Sequence, residues 1–363
     1  MENRDRLIQP ANLTRSSNTI ADIGELALIE RLKDFCAKGA IGDDAAIMDV
    51  TSGYRLVVTT DMLTENVHFS GSTTPPYSVG WRAAAANLAD IAAMGAVPTG
   101  MTVGLGLPGH TPWPWVEELY RGMSDCLKSY GGEILGGDLC RAMQRTISLT
   151  VTGQVLPHQA IRRSTAVPGM TVIVTGPHGA SRAGLALLLE ELELGSSDGS
   201  SDGPSYSSSP DSLLYQAQTW IKAHQLPTPR FDALAALHQL MAQYNADDYP
   251  TISGMDSSDG LANALLQISS SSKVGMDIDQ ERIPLPTGLS AAVGSKTALT
   301  WALHGGEDFE LVLCLPVELA ERFTQTPFAT AIGTTTDTGI VNLLSTDTNT
   351  PETLLDHNSF KHF

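Results

Sequence analysis

The sequence has few cysteines and few positive charges, and each shortage argues against whole classes of function. Its four cysteines form no Cys-x-x-Cys pair, so neither a disulfide framework nor a thiolate zinc site is predicted. Lysine and arginine together number 22 against 40 acidic residues, which gives a formal net charge of −18. Because such a surface repels nucleic-acid phosphates and anionic membranes, we expect no nucleic acid and no membrane as partners.

Long apolar runs are also missing. A membrane span needs roughly 20 consecutive apolar residues, and no run approaches that length. Even the alanine-rich stretch after Trp81 is interrupted by Arg82 and Asp90. The first residues are polar and lack the apolar segment of a signal peptide. The sequence therefore predicts a soluble, cytoplasmic protein with reduced cysteines.

Several familiar catalytic motifs are absent as well. The chain has no Gly-x-x-x-x-Gly-Lys-Ser/Thr loop, no protein-kinase loop set, no Gly-x-Ser-x-Gly elbow and no His-x-x-x-His pair. These absences exclude a P-loop kinase and leave a serine hydrolase or a zincin without support. The segment from Gly104 to Gly109 matches a dinucleotide-binding pattern, but Pro108 and the helix start at Thr111-Pro112 disfavour that function.

The chain length and the order of its segments predict two α/β domains. At 363 residues the chain exceeds the size at which one hydrophobic core stops growing. Helix-like and strand-like segments alternate in both halves, which is typical of an α/β fold. We place an N-terminal domain over 1–158 and a C-terminal domain over 159–363. A tract of serine, glycine and aspartate over 195–210 predicts a surface insertion.

The apolar periodicity predicts individual helices and strands in each domain. Helices are predicted at 23–38 behind an Asp22 cap, and at 78–94, 112–129, 180–193, 212–223 and 230–243, with another from Leu261. Strands are predicted at 45–50, 55–60, 99–107, 145–155, 172–174, 274–278, 309–315 and 330–334.

Short acidic segments follow predicted strands or glycine turns, where α/β proteins gather their ligand sites. They are Gly42-Asp43-Asp44, Thr59-Thr60-Asp61, Asn87-Leu-Ala-Asp90, Gly136-Gly137-Asp138, Asp256-Ser-Ser-Asp259-Gly260 and Gly305-Gly306-Glu307-Asp308. Two carboxylates about 4 Å apart repel by about 4 kcal/mol at an effective dielectric of 20, so converging carboxylates need cations between them. Oxygen ligands select Mg²⁺ or Ca²⁺ over zinc. A single Gly-Asp-Asp, by contrast, is more typical of a solvated turn.

One of these strings also occurs where no chemistry is expected. Ser-Ser-Asp-Gly appears at 196–199, 200–203 and 257–260, and the first two copies lie in the low-complexity tract. Only the third lies between a strand-like segment at 251–253 and an apolar helix. The position in the fold, and not the string itself, indicates function.

Taken together and in order, the six segments resemble those of thiamine-phosphate kinases, in the superfamily of aminoimidazole ribonucleotide synthetase. The resemblance extends from about residue 22 to the chain end. It implies a two-domain PurM-like fold in which the N-terminal domains of two subunits pair their sheets into a barrel. It also implies a homodimer that uses ATP and several Mg²⁺ ions. The implied reaction is direct, in-line phosphorylation of thiamine monophosphate to thiamine diphosphate.

The resemblance implies roles for individual residues as well. The implied magnesium ligands are Asp44, Thr59, Thr60, Asp61, Asp90, Asp138, Asp256 and Asp259, of which Asp61, Asp138 and Asp259 are the candidate catalytic residues. The implied ATP-binding residues are Gly137, Asp138, Arg163 and Ser258. His68, Glu307 and Phe360 would contact the thiamine moiety, with Trp301 as a further aromatic candidate. Without the resemblance, His68 and Phe360 would be assigned to core packing and Arg163 to a solvated surface charge.

The chain departs from the family pattern at a few positions, and two other functions remain open. Leu139-Cys140 follows Gly-Gly-Asp where threonine is usual, Ser257 replaces an apolar residue, and Met170 stands where aspartate is common. The first alternative is another enzyme of the superfamily, foremost a purine-pathway synthetase. The second is a non-catalytic acidic protein that binds divalent cations.

Overall fold

The computed structural model describes residues 19–38, 45–193, 212–245, 248–346 and 348–354, and these divide into two compact units. One unit contains the residues up to Asp49, with Thr60–Ala84 and Thr99–Val151, and the other contains Val50–Thr59, Ala85–Pro98 and the chain from Thr152. The domain boundary near residue 158 stays a prediction. None of the helices in the described ranges is long and apolar enough to cross a membrane.

Helices and strands alternate in the first part of the chain, as predicted for an α/β fold. The elements are α1 (Ile20–Ile23), α2 (Glu25–Leu32), β1 (Arg55–Thr64), α3 (Pro76–Ala93), β2 (Val97–Leu107), α4 (Trp113–Tyr130), β3 (Ile134–Arg141) and β4 (Thr146–Val155). The strands form a sheet in the order β1-β4-β2-β3, in which β2 and β3 are parallel. Across the described residues this sheet is open, with β1 and β3 at its edges, and no barrel closes within one chain.

The rest of the chain builds a larger mixed sheet. Its elements are β5 (Thr171–Val174), α5 (Ala180–Leu188), α6 (Leu213–Gln225), α7 (Phe231–Met241), β6 (Ser253–Asp256), α8 (Leu261–Ser272), β7 (Gly275–Asp279), α9 (Leu289–Val293), α10 (Ser295–His304), β8 (Leu311–Leu315), α11 (Val317–Phe323), β9 (Thr330–Thr336), β10 (Val341–Ser345) and β11 (Thr348–Thr353). The strand order is β11-β10-β7-β9-β5-β8-β6. The pair β10–β7 is parallel and the other neighbouring pairs are antiparallel.

Both faces of this larger sheet are covered by helices, which explains why strand β8 is apolar at every position. Along β8, Val312 and Cys314 pack into a core with α8 and α10. The alternate residues Leu311, Leu313 and Leu315 pack on the opposite side with α7 and α11. Because side chains alternate along a strand, a strand buried on both faces reads as a continuous apolar run. The segment Leu311–Leu315 is buried throughout.

Strand pairing brings two of the acidic segments together at one end of this sheet. Strand β6 pairs with β8 in antiparallel register, with Asp256 opposite Leu311. The residues after β6 therefore lie beside the residues before β8. The first group is Ser257–Gly260 and the second is Gly305–Glu310, so topology alone makes these two segments neighbours.

Several predicted elements are wrong in place or extent. Residues 45–50 form no strand, and the exposure of Ile47 (98%) and Val50 (47%) shows that no partner covers them. The helix predicted at 23–38 is α2, which begins after Gly24, whose φ of 78° is left-handed, and has no side-chain cap. Asp22 belongs to the separate helix α1, which Thr19 caps. The insertion predicted at 195–210 lies outside the described residues.

Candidate active site

The segment Thr59-Thr60-Asp61 lies inside β1 and not at a strand end, which corrects the sequence-based placement. Strand alternation puts Thr59 and Asp61 on one face, while Thr60 lies on the other with Leu56, Val58 and Met62. The Thr60 hydroxyl oxygen is 2.8 Å from that of Thr150. The three consecutive residues therefore do not present their side chains to one point.

Thr59 contacts Asp90, which lies on α3 thirty-one residues later in the sequence. The Thr59 hydroxyl donates a short hydrogen bond to the Asp90 carboxylate. Burial raises the pKa of Asp90, although this hydrogen bond and the positive charge of Arg163 act in the opposite direction. Arg163 is held by a hydrogen bond of 2.5 Å from its Nη1 to Gln267 Oε1. Three predicted site residues from separate segments are thus gathered in one unit.

The segment Gly136-Gly137-Asp138 also lies within a strand, β3, where Gly137 packs closely against β2 and Gly136 has a positive φ of 147°. A Cβ at Gly137 would lie 1.9 Å from the Val103 carbonyl oxygen, so only glycine fits beside β2. Asp138 is exposed and stands opposite Gly104 in the parallel pair. Gly104 and Gly106, two glycines of the dinucleotide-like pattern at 104–109, lie inside strand β2. This position agrees with rejecting a dinucleotide-binding loop.

The segments 256–260 and 305–310 are joined by main-chain hydrogen bonds. The Ser257 N–H donates to the Glu310 carbonyl (2.8 Å), and the Glu310 N–H donates to Ser257 Oγ (3.2 Å). The Glu307 N–H donates to the Ser258 carbonyl (2.7 Å). Asp256 is 2% exposed at the end of β6, whereas Asp259 is exposed. These bonds hold a predicted metal-binding segment against a predicted substrate-binding residue.

Glu307 lies in an unusual backbone conformation. Its φ is 68°, and Phe309, two residues on, has a φ of 53°. A left-handed conformation costs a residue with a side chain about 1–2 kcal/mol, so this turn must be held by its surroundings. The buried Phe309 side chain anchors it on one side, and Asp308 anchors it on the other. The Glu307 carboxylate is 3.7 Å from His224 Nδ1.

Arg230 and Glu310 form a buried ion pair that the sequence reasoning missed. Arg230 Nη1 is 2.5 Å from Glu310 Oε2, and Thr175 donates to the same oxygen at 2.7 Å. The only signal was the position of Glu310 two residues after Asp308, since nothing in the sequence connects Arg230 to this segment. Such a paired and hydrogen-bonded buried charge fixes the start of β8 against the end of β5.

Among the remaining predicted site residues, the structure describes the surroundings of His68 and Trp301. His68 accepts a hydrogen bond on Nδ1 from the Thr64 N–H (3.1 Å), so the neutral ring carries its proton on Nε2. The Trp301 ring is covered by the Arg182 guanidinium at 4.9 Å. Asp44 and Phe360 lie outside the described residues.

The oxygen donors of the site suit a magnesium ion that is bound partly by water and substrate, and not one enclosed by protein side chains alone. Within the described ranges, no three histidine, cysteine or acidic side chains come close enough to hold a metal ion together. Magnesium typically binds one or two carboxylates and completes its shell with water and substrate phosphates. The Thr59–Asp90 pair, with its hard oxygen donors and a carboxyl of raised pKa, fits such a site. The full ligand set stays a prediction.

Comparison with known proteins defines the class first. The family model for "AIR synthase related protein, N-terminal domain" matches residues 42–155. The chain also resembles the structure described as AaThiL complexed with AMPPCP and TMP, with a TM-score of 0.69 and 28% identity over 94% of this chain and 98% of that one. The protein therefore has the PurM-like fold, with mixed α/β content, of the AIR-synthase-related class.

Relatives of nearly full length then give the family. The chain is 41% identical to the thiamine-monophosphate kinase of Synechococcus elongatus over 350 residues, which are 96% of this chain and 99% of that protein. The thiamine-monophosphate kinase of Stenotrophomonas maltophilia has a structure that matches with a TM-score of 0.72 and 29% identity, covering 88% of this chain and 96% of that one. The chain belongs to the thiamine-monophosphate kinase family, as the sequence motifs predicted.

Proposed function

We propose that this protein transfers the γ-phosphoryl group of ATP to the phosphate of thiamine monophosphate, giving thiamine diphosphate and ADP. The observation that carries the proposal is the 41% identity to a thiamine-monophosphate kinase over 96% of the chain. The acidic segments support it, because a kinase without a P-loop must hold its nucleotide through other groups.

The proposed magnesium ligands are oxygen atoms carried by rigid elements. Asp61 and Asp138 lie on strands, Asp90 lies on a helix beside Thr59, and Asp256 and Asp259 flank a turn after β6. Asp44 and Thr60 complete the predicted set. Asp44 lies outside the described residues, and the Thr60 side chain lies on the opposite face of β1 from Asp61, so the side chains of Thr60 and Asp61 would not share one ion. Magnesium bound there would neutralise charge on the phosphates of donor and acceptor.

The chain's own groups would position the ATP phosphates for the transfer. Arg163 and Ser258 would contact the ATP phosphates, and Gly137 would lie next to them in β3 beside Asp138. Phosphoryl transfer depends mainly on positioning and on charge stabilisation, so no phosphoenzyme is expected and the transfer would be in line. The acceptor phosphate is largely ionised at neutral pH and needs no strong general base.

His68, Glu307 and Phe360 would contact the thiamine moiety. His68 presents an Nε2 donor in its neutral form, while Glu307 supplies a carboxylate that suits a cationic ring. An aromatic side chain such as Phe360 offers a face to the same cation. This arrangement would make the acceptor site acidic as well as aromatic.

We also infer a homodimer in which the β1 edges pair. Leu56, Val58 and Met62 lie on one face of β1 and are 52%, 57% and 56% exposed. An edge strand with a contiguous apolar face favours association with another sheet. The barrel expected from the family resemblance would form through this face in a pair of subunits.

A coupled assay for ADP tests the proposal. The purified protein is mixed with ATP, with and without Mg²⁺ and thiamine monophosphate, and a panel of purine intermediates is tested alongside. We expect ADP only when Mg²⁺ and thiamine monophosphate are both present. Turnover of a purine intermediate by a folded protein that ignores thiamine monophosphate would favour the purine-synthetase alternative. Cation binding without any turnover would favour the non-catalytic one.

A further inference from the structure

The turn that carries Glu307 needs support from outside itself, since two of its residues are left-handed without being glycine. Glu307 and Phe309 have φ values of 68° and 53°, and Asp308 lies between them. A residue in this region relaxes readily to a right-handed or extended backbone when its contacts are lost. Such a relaxation would turn the Glu307 side chain away from its present direction.

Asp308 connects this turn to the start of α5 through both carboxylate oxygens. The Gly179 N–H donates to Asp308 Oδ2 at 2.6 Å, and the Ser181 N–H donates to Oδ1 at 2.9 Å. These are N–H groups of the first turn of α5, which have no partner within the helix. The carboxylate therefore caps a helix that lies more than a hundred residues earlier in the sequence.

Ser181 also connects Asp308 to Glu307 by a second route. The Ser181 hydroxyl is 3.1 Å from His224 Nδ1, and the same nitrogen is 3.7 Å from Glu307 Oε2. Both Ser181 and His224 are buried. Ser181 thus contacts both neighbours, because its backbone N–H donates to Asp308 while its hydroxyl contacts His224, the residue beside the Glu307 carboxylate.

We propose that Asp308 is a positioning residue, whose cap on α5 holds the left-handed turn that directs Glu307 toward the acceptor substrate. The inference rests on the proposed function in assigning Glu307 to the acceptor. Asp308 itself points to the helix and makes its bonds to backbone groups, so its effect on the reaction passes through Glu307. Ser257 supports the same turn from the other side by accepting the Glu310 N–H.

The test compares Asp308→Ala and Asp308→Asn with a matched control, Asp279→Asn. Asp279 also caps a turn, since its carboxylate accepts the Glu281 N–H at 3.1 Å, but it lies at the end of β7. We expect Asp308→Ala to raise KM for thiamine monophosphate by about 10- to 100-fold while KM for ATP stays within about twofold. Asp308→Asn keeps one acceptor and should recover part of the loss. Asp279→Asn should match the wild type.

Two further measurements separate positioning from general damage. In a double-mutant cycle, Asp308→Ala should add little to the loss caused by Glu307→Gln, because both act through one carboxylate. Hydrogen exchange of the peptide over 303–311 should accelerate in Asp308→Asn and not in Asp279→Asn, and this readout needs no turnover. Additive losses, equal changes in both KM values or unaltered exchange would overturn the inference. Wild-type protein that fails to turn over thiamine monophosphate would instead overturn the proposed function.

Discussion

Asp90 and Asp308 are both partly buried, and the groups around each carboxyl act differently on its negative charge. Asp90 has a hydroxyl donor in Thr59 and a positive charge in Arg163, which partly offset the burial that raises its pKa. Asp308 has only backbone N–H donors against its burial and the negative charge of Glu310, and its pKa is raised to about 7. The first carboxyl is therefore suited to a cation, whereas the second is suited to a structural cap.

The raised pKa of Asp308 predicts a pH-dependent stability. The ordinary pKa of this group is 3.8, and the folded state raises it to about 7, so the folded protein holds the proton more tightly than the unfolded chain does. The resulting stabilisation is fully present below about pH 3.8 and is lost as the pH rises through about 7. Urea unfolding of wild type and Asp308→Asn from pH 5.5 to 8 measures this.

The expected result is that the wild type loses stability relative to the Asn variant as the pH rises. Subtracting one protein's stability from the other's removes the contributions of other titrating groups, because the titratable neighbours Glu307, Glu310, Arg230 and His224 are retained in both proteins. A difference that stays constant over this range would contradict the assignment.

Loss of a strand-borne carboxylate should remove activity and leave the fold intact. We expect Asp61→Ala or Asp138→Ala to lower kcat by at least about 100-fold, because each would remove a carboxylate proposed to hold the magnesium that neutralises the phosphates. The exposed Asp34 of the same unit supplies the control, Asp34→Ala, which should behave as wild type. Circular dichroism verifies folding. Full activity in either site variant would refute its predicted role.

The elements that sequence patterns predicted well are the long helices and the apolar strands. Helices α3, α4, α6 and α7 and strand β8 lie close to their predicted positions, since apolar residues at helical or strand spacing reflect burial directly. Strand β3 was missed because its two glycines read as a turn. Gly137 is needed for close contact with Val103 of β2, and no local pattern contains that information.

In the candidate site, too, the sequence predicted some features and could not predict others. The acidic segments could be found because each is a short string of unusual composition. The links between them could not, because the contacts of Thr59 with Asp90 and of Arg230 with Glu310 depend on how distant elements fold together. The left-handed backbone at Glu307 and Phe309 was also hidden, since residues with side chains rarely adopt it.

Strand β3 should tolerate no side chain at Gly137. We expect Gly137→Ala to destabilise the protein by about 1–3 kcal/mol, because its Cβ would overlap the Val103 carbonyl 1.9 Å away. Gly71→Ala is the matched control, since a Cβ there meets nothing within 4 Å. Urea unfolding compares the two. Equal stability of both variants would show that β3 can shift without cost.

At the scale of the whole molecule, the exposed face of β1 predicts a dimer. We expect Val58→Asp to weaken self-association, because it places a charge on an apolar edge strand. Val317→Asp is the matched control, since Val317 is 51% exposed against 57% for Val58 but begins α11. Sedimentation velocity gives the oligomeric state. A wild-type monomer, or a Val58→Asp variant that still dimerises normally, would exclude this interface.

The surroundings of the four thiols give the protein a natural attachment point for a probe. Burial raises the pKa of Cys36 to about 11 and that of Cys314 to about 12, and it raises the pKa of Cys126 as well. Since only thiolates react with alkylating reagents, these three are protected near neutral pH. Cys140 is exposed and lies two residues beyond Asp138, on the same face of β3. A fluorophore attached there without any mutagenesis would test whether nucleotide binds beside that aspartate, as proposed.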